Sequence, residues 1–252
     1  MLRALFLMLA FALPAKAEEV VLGLSQTEVA ITANFDGSEI FIFGAVKREE
    51  AIPDGDPLQV IVAIQGPSEP ITVRRKEKRY GIWVNVDAVE VDAAPSFYAV
   101  ATSAPMQDVL SATEDLRYKI SIPRAIRSVG APMTVSDSQS FTEAVIRVRK
   151  ANKWFQLNEG SVEFSQETLF KTSIAMPANL TEGEYRTRIY LTRSGKVVSE
   201  YETLIDVRKV GLERWLYTLS RQQPLMYGLL SLAIAIFSGW AASAIFTGLR
   251  RN

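Results

Sequence analysis

Histidine and cysteine are both absent from the 252 residues. Without cysteine there are no disulfide staples, thiol nucleophiles or thiolate metal sites, so export to an oxidising compartment leaves no mark on the chain. Without histidine the commonest general base and the commonest zinc or copper ligand are missing. Ser–His–Asp and Cys–His arrangements are therefore excluded. No Gly-rich phosphate loop or other catalytic signature occurs. A basic excess is lacking too, because 28 Lys and Arg face 28 Asp and Glu. Nucleic-acid binders carry a clear positive surplus, so that class is disfavoured. The expectation is a protein that is not an enzyme and needs no cofactor or metal. Carboxylate pairs, Ser–Lys dyads and oxygen-ligated calcium are the routes to chemistry that composition leaves open.

What is present is two hydrophobic ends. Residues 1–17 carry Arg3, an apolar run from Ala4 to Leu13, and Ala15-Lys16-Ala17. That is the layout of a signal peptide, with a basic start, an apolar middle and a small-x-small cleavage site. Its removal leaves 26 basic against 28 acidic residues, a formal charge of −2. At the other end, residues 225–249 carry no formal charge and run directly into Arg250-Arg251. As a helix they would measure roughly 37 Å, enough to cross a ~30 Å hydrocarbon core with some tilt. A cleaved signal exports the body, the C-terminal helix stops transfer, and the tail 250–252 stays in the cytoplasm, as the positive-inside tendency prefers. The alternative is an uncleaved N-terminal anchor, for which the run before Pro14 is short.

Just before the span, within 211–223, Leu212, Trp215, Leu216 and Leu219 fall at i, i+3, i+4 and i+7, one apolar face of an interfacial helix. An ordinary juxtamembrane linker is the competing reading. Pro224 marks a bend into the span. Inside it, Ser231, Ala235, Gly239, Ser243 and Thr247 recur every four residues, which would let a second helix approach closely. The stripe drifts about 40° per step, so only part of it can face one partner.

The exported body alternates in short runs broken by turn residues. Strands are expected at 28–35, 39–46, 58–65, 71–74, 81–86 and 97–101, and again at 161–164, 168–174, 183–192 and 196–207. The polar stretch 128–140 reads as a linker, and Ser140 with Glu143 as the capped start of a helix running to about Lys150. The predicted fold is mainly β. It comprises two antiparallel β-sandwich (Ig-like) domains, 18–125 and 126–210, the second with one helix, plus the C-terminal transmembrane helix.

One candidate contact surface is the run Arg74-Arg75-Lys76-Glu77-Lys78-Arg79, five basic residues in six. It suits an anionic ligand or anionic lipid. A solvated hairpin between two strands is the simpler account of it. In Gly81-Ile82-Trp83-Val84-Asn85, alternation puts Ile82, Val84 and Val86 toward the core and Trp83 and Asn85 outward, either as a contact surface or under the second domain. Carboxylates pair at Glu49-Glu50, Asp54/Asp56, Glu114-Asp115 and Glu182/Glu184. Asp54 and Asp56 flank Gly55 but lack the rest of a calcium loop.

Several short strings carry a resemblance. They are Phe43-Gly44-Ala45, Gln65-Gly66-Pro67, Arg75-Lys76 leading to Gly81-Ile82-Trp83-Val84-Asn85, and Pro95-Ser96-Phe97-Tyr98. Leu169-Phe170-Lys171-Thr172, Pro177, Gly183-Glu184-Tyr185 and Tyr227-Gly228 extend it over nearly the whole mature chain. The chain resembles the alphaproteobacterial putative transmembrane protein family. The resemblance implies the same end-to-end layout, no catalytic residues to carry over, and members that accompany a sulfite-exporter-like permease. The expected function is a non-enzymatic accessory or scaffolding protein of the bacterial inner membrane, its body in the periplasm and its partner an integral membrane protein. The alternative is a tethered binding module for an anionic small molecule or envelope glycan.

Overall fold

The structure, a computed structural model, describes residues 19–25, 28–31, 37–48, 55–128, 137–209 and 212–249. The expected signal peptide, the tail 250–252, Glu49-Glu50, Asp54 and most of the expected linker lie outside them. The described residues form two compact units, one of 19–29 and 37–207, the body, and one of residues 30–31 with the segment from Arg208.

The body is built from twelve strands: β1 (Glu19–Leu24), β2 (Glu28–Ile31), β3 (Gly37–Lys47), β4 (Gln59–Gln65), β5 (Ser68–Arg79), β6 (Ile82–Pro95), β7 (Tyr98–Thr102), β8 (Phe155–Asn158), β9 (Glu163–Ser165), β10 (Leu169–Pro177), β11 (Gly183–Arg193) and β12 (Lys196–Lys209). Between β7 and β8 lie α1 (Met106–Val109), α2 (Ala112–Tyr118), α3 (Ile122–Ala125) and α4 (Gln139–Ala151). The fold is mainly β, as the alternation predicts.

The first sheet has the order β1-β3-β10-β9 and the second β2-β12-β11-β4-β7-β8, while β5 and β6 form a hairpin of their own. Strands from both sides of the expected 125/126 boundary therefore share both larger sheets. Alternation locates strands but does not name their partners, and the boundary falls inside a crossover. The pair β7–β8 is parallel, with Tyr98 opposite Phe155. A parallel pair cannot be closed by a tight turn and needs a long connection, here the helices α1 to α4.

At its centre the second sheet is buried on both faces. In β4 the run Val60-Ile61-Val62-Ala63-Ile64 is wholly buried, and so is every residue of β7. One face, with Ile61, Ala63, Tyr98, Val100, Phe155 and Tyr190, packs against Val109, Leu110, Ile120, Ile122, Ile126 and Val145 of the crossover. Residues of the opposite face, Val62, Ile64, Ala99, Ala101, Ile189 and Leu191, are also fully buried. On the first sheet Ile40, Ile42, Phe170, Ile174 and Met176 are buried, and β10 contacts β7. Gly44 of β3 permits close approach, because a Cβ there would stand 2.7 Å from the Val21 carbonyl oxygen and 2.5 Å from the Phe170 ring.

Two arginines tie the helices to the strands. Arg149 of α4 donates to the carbonyls of Pro95 and Ser96, both at 2.8 Å, with its guanidinium 5.4 Å from the Phe155 ring. Burial lowers its pKa, opposed by Glu69. At the start of α4, the Asp137 carboxylate accepts from the Ser140 amide at 3.2 Å. The expected Ser140–Glu143 capping box is replaced by this arrangement. The Ser140 hydroxyl donates instead to the Asp137 carbonyl at 3.0 Å and accepts from Arg75 at 2.7 Å.

In the C-terminal unit, α5 (Leu212–Gln222) ends one residue before α6 (Pro224–Leu249). Proline at the first position of α6 has no N–H to offer, which costs nothing at a helix start. The Gln223 amide still donates to the Leu219 carbonyl at 2.9 Å, and Tyr227 to Gln223 at 3.1 Å.

Burial raises the phenols of Tyr98 and Tyr185 to about 12, and that of Tyr190 higher still, while Arg188 partly lowers Tyr98 and Tyr190. The neutral phenols are the ones the fold favours. Their contribution is complete below the unfolded value near 10 and is lost as pH rises through about 12. Phenolate absorbance should show these three of the eight tyrosines silent near pH 10, titrating only as near-ultraviolet dichroism collapses. Titration of these three near pH 10 with dichroism intact would contradict this packing.

Candidate functional site

The β5–β6 hairpin turns at Tyr80 (φ 51°) and Gly81 (φ 86°), two left-handed residues that match the twist of a tight hairpin. Its base belongs to the core: Val73 lies opposite Val89 and Ile71 opposite Val91, and Val89 and Val91 are buried. Its distal half does not. Tyr80, Ile82 and Trp83 are 105%, 65% and 68% exposed. Ile82 thus departs from the expected core face, and Val84 and Val86 are only partly buried. The reason is length, since the core reaches only as far out as Val89. The basic run is the continuing strand rather than a loop.

The register sorts the run into two faces. Lys76 lies opposite Asn85 and Lys78 opposite Trp83, and all four are exposed, as is Arg74. Those five expected contact residues therefore share one face. Arg75 does not belong with them. Its guanidinium sits 3.6 Å from Asp87, 3.7 Å from Asp137, 2.7 Å from the Ser140 hydroxyl and 4.6 Å from the Phe141 ring centre. It fastens the hairpin to α4. Arg79 turns back to Glu77 at 3.3 Å.

A second surface escapes the sequence reading. On the outer face of the first sheet Val21, Ala45 and Leu169 form one cross-strand row, and Gly23, Phe43 and Lys171 the next, with Phe41 beside Ser173. Val21, Phe41, Phe43 and Leu169 are each more than half exposed. The Phe43 ring lies where a side chain on Gly23 would have to go. An open groove of about 620 Å³ runs along Val21, Phe43 and Leu169. Its rim is polar, with Lys171 2.9 Å from Glu163 and Ser173 hydrogen-bonded to Glu39. The signal was in the sequence. Ile40-Phe41-Ile42-Phe43 is apolar on both faces of a strand, so one pair had to face outward.

In the C-terminal unit Trp215 and Tyr217 are exposed on α5, and Arg221 stacks 5.8 Å from the Tyr217 ring. Residues 224–243 of α6 are long and apolar enough to cross a membrane. Ser231, Ala235, Gly239 and Ser243 are exposed along it, and a Cβ at Gly239 would meet nothing within 4 Å. The Ser231 hydroxyl donates to the Tyr227 carbonyl at 2.9 Å.

Three of the paired carboxylates, Asp115, Glu114 and Asp56, are spent on structure. Asp115 accepts from the amides of Ile120 (3.2 Å) and Ser121 (2.7 Å) and from the Ser121 hydroxyl (2.7 Å). Glu114 accepts from the Val197 amide at 3.1 Å, and Asp56 from the Ser194 hydroxyl at 2.7 Å. Among the described residues no three carboxylates converge as a metal site would require.

A family model described as "Putative transmembrane protein" (Alph_Pro_TM) matches residues 19–248. No curated protein matches the chain. Among solved structures, the chain is similar to Spo0M, a sporulation control protein from Bacillus subtilis, at 11% identity and a TM-score of 0.28. The match covers 82% of this chain and 56% of that one, so the chain spans little more than half the length of that protein.

Arg75→Ala should lower the unfolding free energy by roughly 1–3 kcal/mol, because it removes a charged hydrogen bond and leaves Asp87 and Asp137 facing without their cation. Lys78→Ala and Trp83→Ala should stay within about 0.5 kcal/mol of the parent. Denaturant titration of the three variants in detergent reads the difference directly.

Proposed function

The chain belongs to that family of transmembrane proteins, and on this premise we propose that it is a non-enzymatic accessory or scaffolding subunit of a membrane complex. Membrane integration through a single C-terminal span follows from the family and from α6. In the proposed arrangement residues 1–17 direct export, the body lies in the periplasm, α6 crosses the inner membrane, and Arg250-Arg251 stay in the cytoplasm. The partner is an integral membrane protein, with a transporter permease as the class the resemblance suggests.

The observation that carries the reading is the outer face of the first sheet. Contiguous exposed apolar side chains with a polar rim mark a contact surface, and Val21, Phe41, Phe43 and Leu169 meet that description across three adjacent strands. Along α6 the exposed positions Ser231, Ala235, Gly239 and Ser243 offer a second contact of the kind helices use inside bilayers. The second reading, a tethered binder of an anionic small molecule or envelope glycan, is favoured by Arg74, Lys76 and Lys78. They are exposed on one hairpin face, and no carboxylate pairs with them among the described residues.

Crosslinking in native membranes, purification through a C-terminal tag and mass spectrometry should recover one integral membrane protein in near-stoichiometric yield. The double variant Phe41→Thr/Leu169→Thr should reduce that recovery at least tenfold with the body still folded. Gly239→Leu should also weaken it, because the added side chain blocks close helix approach, and a Cβ at this position meets nothing within 4 Å. Recovery of self-crosslinks alone would remove the accessory reading.

A further inference from the structure

We infer that the cleft between α2, α3 and β11 is a binding site for a small multivalent oxyanion of the phosphate type. The cleft measures about 470 Å³, within the range of small-ligand sites, and its lining includes Lys119, Arg124, Arg127, Arg186 and Arg188 without a single carboxylate. Arg186 is paired with Glu202 at 3.1 Å. For the other four, no carboxylate partner occurs among the described residues. The nearby Asp115 is already committed to the Ile120 and Ser121 amides.

Arg188 carries the argument furthest. Its donors reach only neutral acceptors, and all at long range: the Tyr118 carbonyl at 3.3 Å, the Gln65 side chain at 3.4 Å and the Tyr98 hydroxyl at 3.4 Å. Its Nε–H is buried with no acceptor at all. A guanidinium has five N–H donors in a planar fork that fits phosphate or carboxylate oxygens two at a time. A buried donor left unmet costs free energy, and so does a desolvated cation without its counter-ion. An oxyanion in the cleft supplies the missing counter-ion.

The frame around the cleft is fixed before any ligand arrives. Lys119 is held in a left-handed conformation at the end of α2, its amide donating to the Asp115 carbonyl at 2.8 Å. Arg127 exchanges two backbone hydrogen bonds with Ala93, at 2.9 and 3.1 Å. Ile126, between Arg124 and Arg127, is buried in the core. Three arginines and one lysine without paired carboxylates, three of them able to chelate two oxygens, select for charge and tetrahedral or planar oxygen geometry over a monovalent halide.

The inference does not rest on the accessory reading, and it uses residues apart from both the outer apolar face and the hairpin. The probe is inorganic pyrophosphate, titrated calorimetrically into the full chain in neutral detergent. Saturable binding with a stoichiometry near one is expected, absent with sodium chloride at matched ionic strength. Arg124 and Arg127 are exposed, so Arg124→Gln/Arg127→Gln should fold normally yet bind at least tenfold more weakly. Lys76→Ala/Lys78→Ala should bind as the parent does. Competition by phosphatidylglycerol vesicles, and not by phosphatidylcholine vesicles, would identify a lipid phosphate as the source, whereas no competition would assign a free anion. Absence of saturable heat overturns the proposal. So does equal affinity in the Arg124/Arg127 variant, or loss of binding only in the Lys76/Lys78 variant.

Discussion

Everything in the body follows from a sheet whose central strands have no solvent face. Val60 to Ile64 and Tyr98 to Thr102 are buried residue by residue, so both faces of β4 and β7 require a cover. At about 25 cal/mol per Å² of apolar surface, leaving either face wet would forfeit several kcal/mol, a large part of a domain's net stability. The first sheet and the helical crossover supply apolar surface for the two sides. The parallel β7–β8 pair is the topological consequence, since a chain that leaves β7 must travel over the sheet before returning alongside it. Arg149 then fixes the crossover to the β6–β7 corner through Pro95 and Ser96, and Arg75 fixes the hairpin to the same helix.

This arrangement explains which parts were legible beforehand. A strand with one wet face, such as β10, shows clean alternation, and its limits, like those of β11, are close to those expected from sequence. The C-terminal helix is legible because a membrane span requires a long apolar run without formal charge. The strand β8 and the short helices α1 to α3 were not. They run four, four, seven and four residues, too short for periodicity to register, and are held by tertiary contacts such as those of Asp115. Pairing partners were illegible for a different reason. Apolar residues at alternate positions state that a strand has an inner face, and are silent on which strand lies beside it.

The candidate surfaces divide along the same line. Arg74, Lys76, Lys78, Trp83 and Asn85 were found because adjacent charges and an outward tryptophan stand out in a string. Arg75 was grouped with them because a string does not record that Asp87, Asp137 and Ser140 converge on it. The outer apolar face was overlooked although Ile40-Phe41-Ile42-Phe43 announced it. The oxyanion cleft could not have been read at all. Its cations come from positions 119, 124, 127, 186 and 188, and only the crossover's descent onto β11 brings the two groups together. Charge assembled by topology has no local signature.

Tethering changes what such surfaces must accomplish. Free proteins lose several kcal/mol or more of translational and rotational freedom on association, and large interfaces exist partly to offset that loss. A partner in the same bilayer has already given up most of it, so the second contact is nearly intramolecular, at a high effective concentration. Four exposed apolar side chains on one sheet face would be a weak site for a soluble partner. On a body anchored by a 26-residue helix, the proposed contact needs less affinity of its own. The same reasoning separates the two proposed sites. A partner surface gains from the anchor, whereas a cleft that takes a free oxyanion gains nothing from it and must derive its affinity from charge and geometry alone. That is what Lys119, Arg124, Arg127 and Arg188, gathered without a paired carboxylate, supply.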